Sequence, residues 1–344
     1  MKYAILVHPG HNRVYFETAL KLSLSEFEIA AQRFTVSCKT PQNLNIGGVQ
    51  YLLFETAGEL TAGDVKIVSE LSFVYALFAL EGEDGNLRLR PIARTDEHFV
   101  DEGISAMLKY SGKTNEIFTR MMINIARYTQ SCEEPLKLLD PLAGKGTTLF
   151  EGLVKGYDVY GIEIGEKVTA EASRFLQKFL ETAKYKFEYK TIRLSGANKS
   201  FTAQRHTFII ARNRQEQKDG NSKTAELIAG NAQYAVQYYK KNFFHMIVGD
   251  LPYGVQHANV TDEKQSAMTR NPAELLKACL PGWAEVLRPG GCMVFSWNNN
   301  VLAREKMTEI LKKAGLNVLN EGPYAQFEHR VDQAILRDII VAKK

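Results

Sequence analysis

Leu138-Leu-Asp-Pro-Leu-Ala-Gly-Lys-Gly-Thr-Thr148 reads as the end of a buried strand, a glycine turn and the start of a helix. In open α/β sheets ligands sit beyond the carboxyl ends of the strands, which is where Asp140 stands. Gly144 and Gly146 let backbone approach a ligand that a Cβ would block. A phosphate-binding P-loop does not fit, because Lys145 is followed by Gly146 and its first glycine would fall on Leu139. A dinucleotide fingerprint is incomplete, because its third glycine falls on Leu149. What remains is an acid four positions ahead of Gly-x-Gly. A second carboxylate, Glu163 in Gly161-Ile-Glu-Ile164, ends the next strand and suits a pair of ribose hydroxyls. Taken alone, the turn fits a nucleoside cofactor and a plain tight turn about equally.

A second strand end narrows the choice. His245-Met-Ile-Val-Gly-Asp-Leu-Pro-Tyr-Gly254 is an apolar strand closing on Asp250, Leu251, Pro252 and Tyr253. An amine conjugated to a ring is a poor nucleophile, and its N–H groups need acceptors that favour a pyramidal nitrogen in the transition state. Asp250 offers a carboxylate, the Leu251 carbonyl a second acceptor, and Pro252 a stiff turn. Tyr253 offers a ring face to stack on a base and set the angle of attack. Around these motifs, strand and helix patterns alternate from Leu136 to Ala342, as in a parallel sheet with helices on both faces.

The Asp140 turn resembles the S-adenosylmethionine turn of class I methyltransferases, and Asp250-Leu-Pro-Tyr resembles the strand-end signature of those acting on exocyclic amines. Together they resemble the RNA methyltransferases often fused to a THUMP domain, the UPF0020-like catalytic domain, and within it the tRNA guanine-N2 group. Asp140-Pro-Leu-Ala-Gly-Lys-Gly-Thr147 matches that group's turn, and Lys113-Thr-Asn-Glu-Ile-Phe-Thr-Arg120 resembles its pre-sheet helix, which closes over the methionine end of the cofactor. The resemblance covers residues 105–344. It implies a Rossmann-like α/β sheet of seven strands, the last antiparallel and inserted. It also implies S-adenosyl-L-methionine as cofactor, held by Asp140, Leu142, Ala143, Gly144, Gly146, Thr147, Glu163, Asn231 and Asp250, with an RNA substrate, tRNA, as partner. Asn231 departs from the acid that many members place by the adenine.

Working outward, residues 1–100 read as a small α+β domain, a candidate RNA-binding unit, and 101–344 as the catalytic domain, with 93–112 as linker. The first hundred residues hold 9 Lys/Arg against 12 Asp/Glu, net −3, so the remainder carries +7 of the overall +4. Residues 183–219 are an insert beyond the minimal fold, with nine basic residues against three acidic, a local +6 with aromatics interleaved. Such a stretch is expected either as an exposed projection that contacts RNA phosphates or as a solvated hairpin. Composition excludes disorder and coiled coil, with 45% hydrophobic residues and 24% charged. The longest apolar run, Leu71–Leu80, is half the ~20 residues of a membrane span. Four cysteines without CxxC spacing indicate neither a zinc site nor a disulfide framework, so the chain is expected in the cytoplasm. His8 and His11 flank a Pro-Gly turn without an apparent third metal ligand. Two other readings stand beside RNA methylation: an adenine or cytosine amino-methyltransferase on DNA or rRNA, and an idle nucleic-acid-binding scaffold.

Overall fold

A computed structural model describes residues 1–8, 13–82, 86–95, 97–107, 113–133, 135–253 and 271–344. His11 and Gly254, both singled out above, lie outside them.

Two sheets organise the chain. The first has five strands, β1 (Lys2–Val7), β2 (Gln42–Ile46), β3 (Val49–Glu55), β4 (Val74–Glu81) and β5 (Arg88–Ile92), in the order β2-β3-β1-β4-β5. Every pairing in it is antiparallel. Helices α1 (Arg13–Ala31) and α2 (Ala62–Ser69) belong to this part; α2 opens on a capping box between Thr61 and Asp64. The stretch expected as a linker is instead packed: Phe99 and Val100 are buried, the Phe99 N–H donates to the Val154 carbonyl, and α3 (Gly103–Met107) follows.

The second sheet carries the site. Its strands are β6 (Lys137–Asp140), β7 (Asp158–Glu163), β8 (Lys186–Ser195), β9 (Thr202–Ala211), β10 (Lys223–Ala229), β11 (Phe244–Asp250), β12 (Leu287–Asn298), β13 (Asn317–Leu319), β14 (His329–Arg330) and β15 (Leu336–Lys343). The order is β13-β15-β12-β11-β6-β7-β10-β9-β8, with β14 on β15. From β10 to β12 the pairings are parallel, and β15 enters antiparallel between β12 and β13. This is the seven-strand Rossmann-like arrangement expected from the sequence.

The expectation of a bare projection at 183–219 needs correction. Its two strands form a hairpin that extends the sheet, because β9 runs antiparallel along the whole of β10 and buries Ala203, His206, Phe208, Ile210 and Ala211. Only β8, at the edge, stays largely exposed.

Alternation along the central strands sorts side chains to two faces. Leu138, Val159, Met246, Val248, Val294 and Ile339 face α4 (Glu116–Thr129), α5 (Thr147–Val154) and α6 (Glu166–Thr182). Leu139, Tyr160, Ile247, Met293, Phe295 and Ile340 face the helices Pro272–Val286 and Arg304–Lys313. Near-continuous apolar strands are what a sheet covered on both sides requires. After β10 come a 3-10 turn at Ala232–Tyr234 and a short helix, Ala235–Tyr238. Asn271 caps the helix after it, its side chain accepting from Ala273 N–H at 3.0 Å, and Lys277 donates to Glu274 at 2.7 Å. Among the described residues, no helix is long and apolar enough to cross a membrane.

Candidate active site

Asp140, Glu163, Asn231 and Asp250 stand at the carboxyl edge of the second sheet. Asp140 ends β6, Glu163 ends β7, Asn231 follows β10, and Asp250 ends β11. The chain passes from β6 to β7 on one side, while β11 lies on the other, so Asp140 and Asp250 flank the topological switch point.

The turn after β6 is built from backbone. Leu142 N–H donates to the Asp140 carboxylate at 2.9 Å, Ala143 N–H to the Ile162 carbonyl at 2.9 Å, and Gly146 N–H to the Ala143 carbonyl at 2.7 Å. Gly144 has φ +52°, and a Cβ there would meet no atom within 4 Å, so its outer side is open. Gly146, at φ +92°, starts α5 directly ahead of Thr147. Glu163 braces the turn: one carboxylate oxygen accepts from Gly144 N–H at 3.0 Å, the other from Gly165 N–H at 2.7 Å. Burial raises the Glu163 pKa, against those backbone donors. Burial also pushes Asp140 up to about 7; hydrogen bonds from Thr148 and Leu142 pull it down, and the Asp250 and Glu163 charges raise it. Asn231 caps the Ala232–Tyr234 turn, its side chain accepting from Gln233 N–H at 2.9 Å.

Around Asp250 the structure adds what the sequence reading missed. Three hydroxyls converge on its carboxylate: Tyr253 at 2.5 Å, Thr114 at 2.6 Å and Ser296. Thr114 comes from just ahead of α4, whose N-cap is Asn115, and Ser296 is the register partner of Asp250 on β12. A lone serine in the apolar run Cys292–Trp297 was the available sign for Ser296, since it falls level with Asp250 once β11 and β12 are paired. Leu251 is buried, its N–H on the Ser296 carbonyl at 2.8 Å. The Asn298 amide donates to the Tyr253 carbonyl at 3.4 Å and to the Ala334 carbonyl at 3.1 Å, tying the turn to the segment between β14 and β15. The Tyr253 hydroxyl is therefore engaged, and burial and the Asp250 charge push its pKa well up. One face of its ring meets the Arg337 guanidinium, 5.2 Å from the ring centre.

This edge offers a backbone turn with an open glycine, a braced acid beside it, and a carboxylate held by hydroxyls one strand over. A family model described as the RMKL-like methyltransferase domain, UPF0020, matches residues 108–322. No curated protein sequence matches the chain. Solved structures similar to it include a TehB-like SAM-dependent methyltransferase from Corynebacterium glutamicum, 14% identical, with TM-score 0.33 over 62% of this chain and 82% of that one. A SAM-dependent methyltransferase from Archaeoglobus fulgidus is 14% identical, TM-score 0.34, over 67% and 94%. Magnesium protoporphyrin IX methyltransferase from Synechocystis PCC 6803, with bound SAM, is 12% identical, TM-score 0.36, over 68% and 86%.

Proposed function

Because the chain belongs to the UPF0020 family of RMKL-like methyltransferase domains, we propose that it methylates an exocyclic amine of a base in RNA, guanine N2 in tRNA. S-adenosyl-L-methionine is the cofactor, and its sulfonium supplies the electrophilic methyl group. The residues after β6 fit it: the open side of Gly144 admits a ligand against backbone, and Glu163 has acceptor capacity beyond its two N–H donors for ribose hydroxyls. Asp140, Leu142, Ala143, Gly146 and Thr147 shape the rest of that cradle, with Asn231 toward the adenine and Asp250 on the methyl side.

The observation that carries the reading is the Asp250 carboxylate. A carboxylate has about four lone-pair positions. Hydroxyls of Tyr253, Thr114 and Ser296 occupy three, which fixes its orientation and leaves about one for an amine N–H. As the amine nitrogen attacks, its N–H grows more acidic and that hydrogen bond strengthens, so Asp250 acts in the transition state more than in binding. Leu251 and Pro252 hold the turn that aims it, and the Leu251 carbonyl is the second acceptor. The charge of the 183–219 hairpin supports a nucleic acid as substrate.

Single-turnover methylation with calorimetric cofactor titration tests this. Asp250→Ala should lose ~10²–10³ in rate with cofactor affinity largely kept, and Asp250→Asn should retain part of the rate. Ring stacking alone would make Tyr253→Phe mild. The hydroxyl bond to Asp250 predicts instead a loss of about tenfold. A near wild-type rate in Asp250→Ala would place the amine elsewhere.

A further inference from the structure

Arg337 stands near the start of β15, opposite Asn298 of β12 and His329 of β14. Its guanidinium lies between two rings, 4.5 Å from the centre of Phe118 on α4 and 5.2 Å from that of Tyr253. The Nε atom is buried and has no hydrogen-bond partner among the described residues. A buried donor on a permanent cation is costly when unsatisfied, and carboxylates are the usual remedy. Here cation–π contact with two rings holds the group, and neither ring supplies an acceptor to its Nε–H. A ring offers this cation its π cloud and no lone-pair acceptor, so its N–H donors are left for a ligand.

Tyr253 links this cation to Asp250. From the guanidinium it is 5.2 Å to the ring centre, and across the ring the hydroxyl meets Asp250 at 2.5 Å. The cation therefore lies no farther than about 11 Å from the carboxylate, the reach of one guanine with a hydrogen bond at each end. The two ends differ in chemistry: Asp250 accepts and Arg337 only donates. A base with an amine at one side and a carbonyl oxygen at the other satisfies both. Guanine carries N2 and O6 in that relation, whereas adenine presents a donor where guanine has O6.

Resting on the guanine-N2 reading above, we propose that Arg337 is the base-recognition residue of this site, reading the guanine O6 while Asp250 holds N2. Phe118 and Tyr253 hold its guanidinium by cation–π contact, and Asn298 fixes the Tyr253 turn against β12.

The test compares two RNA substrates that differ at the target nucleotide, guanosine or 2-aminopurine riboside, the latter keeping the amine and lacking O6. Each protein serves as its own reference, so a loss of folded enzyme cancels in the ratio of kcat/KM values. Wild type should favour guanosine by roughly tenfold or more. In Arg337→Leu that preference should shrink by roughly tenfold, and Arg337→Lys should recover part of it. Nucleoside analysis of the products separates the failures. If N2-methylguanosine forms and the preference is the same in wild type and Arg337→Leu, the role of Arg337 is overturned and the guanine reading stands. If the methyl group lands on adenine or cytosine, both are overturned.

Discussion

Asp140 shows how burial at a strand end becomes a functional property. Removal from water favours its neutral form and pushes the pKa up to about 7, with the Asp250 and Glu163 charges adding to the shift. Below about 7 the folded protein holds a proton on Asp140, and a cationic ligand group beside it favours the ionised form. Binding the cofactor's ammonium there should expel that proton, so affinity should rise with pH up to about 7 and then level. Calorimetry at about pH 6 in buffers of different ionisation enthalpy should record release of most of one proton, and Asp140→Asn should abolish it. Zero release by the wild-type protein would remove Asp140 from contact with a charged ligand. Asp140, Glu163 and Asp250 were legible in the sequence because each closes an apolar run, and strand ends in such sheets are where ligands sit. Thr114 was not, since 136 residues separate it from Asp250 and only the docking of α4 brings them together. Arg337 was hidden for the same reason: its neighbours Phe118 and Tyr253 come from distant parts of the chain.

At the scale of elements, local patterns carried the reading well and pairing between strands did not. The turn from β6 to α5 depends on neighbours in sequence, and it stands where the pattern puts it. The β8–β9 hairpin depends on β9 finding β10, a pairing that composition does not encode, so its basic charge alone reads as an RNA-contacting projection or a solvated hairpin and not as an extension of the sheet. Pairing also divides its arginines. Arg205 is 3.3 Å from Glu226 and donates to the Tyr238 carbonyl at 2.7 Å, and Arg212 bonds Glu216. Lys186, Lys190 and Arg193 on β8, with Arg214 beyond β9, are exposed and remain for phosphate. On the proposed reading, replacing these four with Ser should flatten the dependence of RNA affinity on salt by ~0.7–0.9 log units per lost contact. Arg205→Ser should instead lower stability, because it strands the buried Glu226. A slope untouched by the fourfold change would make the edge strand a solvated face.

Across the whole molecule, the first sheet is not a loosely tethered companion. One apolar cluster includes Ile5, Phe27 and Leu52 together with Met121, Leu138 and Val248. Glu26 of α1 accepts from Ser72 N–H at 3.0 Å and from the Asn124 amide of α4 at 2.6 Å, and the Arg33 guanidinium donates to the Tyr128 carbonyl at 2.8 Å. The helix that carries Phe118 and follows Thr114 is thus held between α1 and the second sheet, which positions Thr114 against Asp250. Charge separates the parts, with −3 on residues 1–100 and +7 on the rest, so a polyanion would meet the catalytic part first. The central claim is transfer of a methyl group from S-adenosylmethionine to a base amine in RNA. Its most direct measurement supplies methyl-labelled cofactor with tRNA, rRNA and DNA in parallel, then digests each and separates the nucleosides. The account predicts label in tRNA as N2-methylguanosine, absent with Asp250→Ala; label confined to DNA, or to adenosine or cytidine, would contradict it.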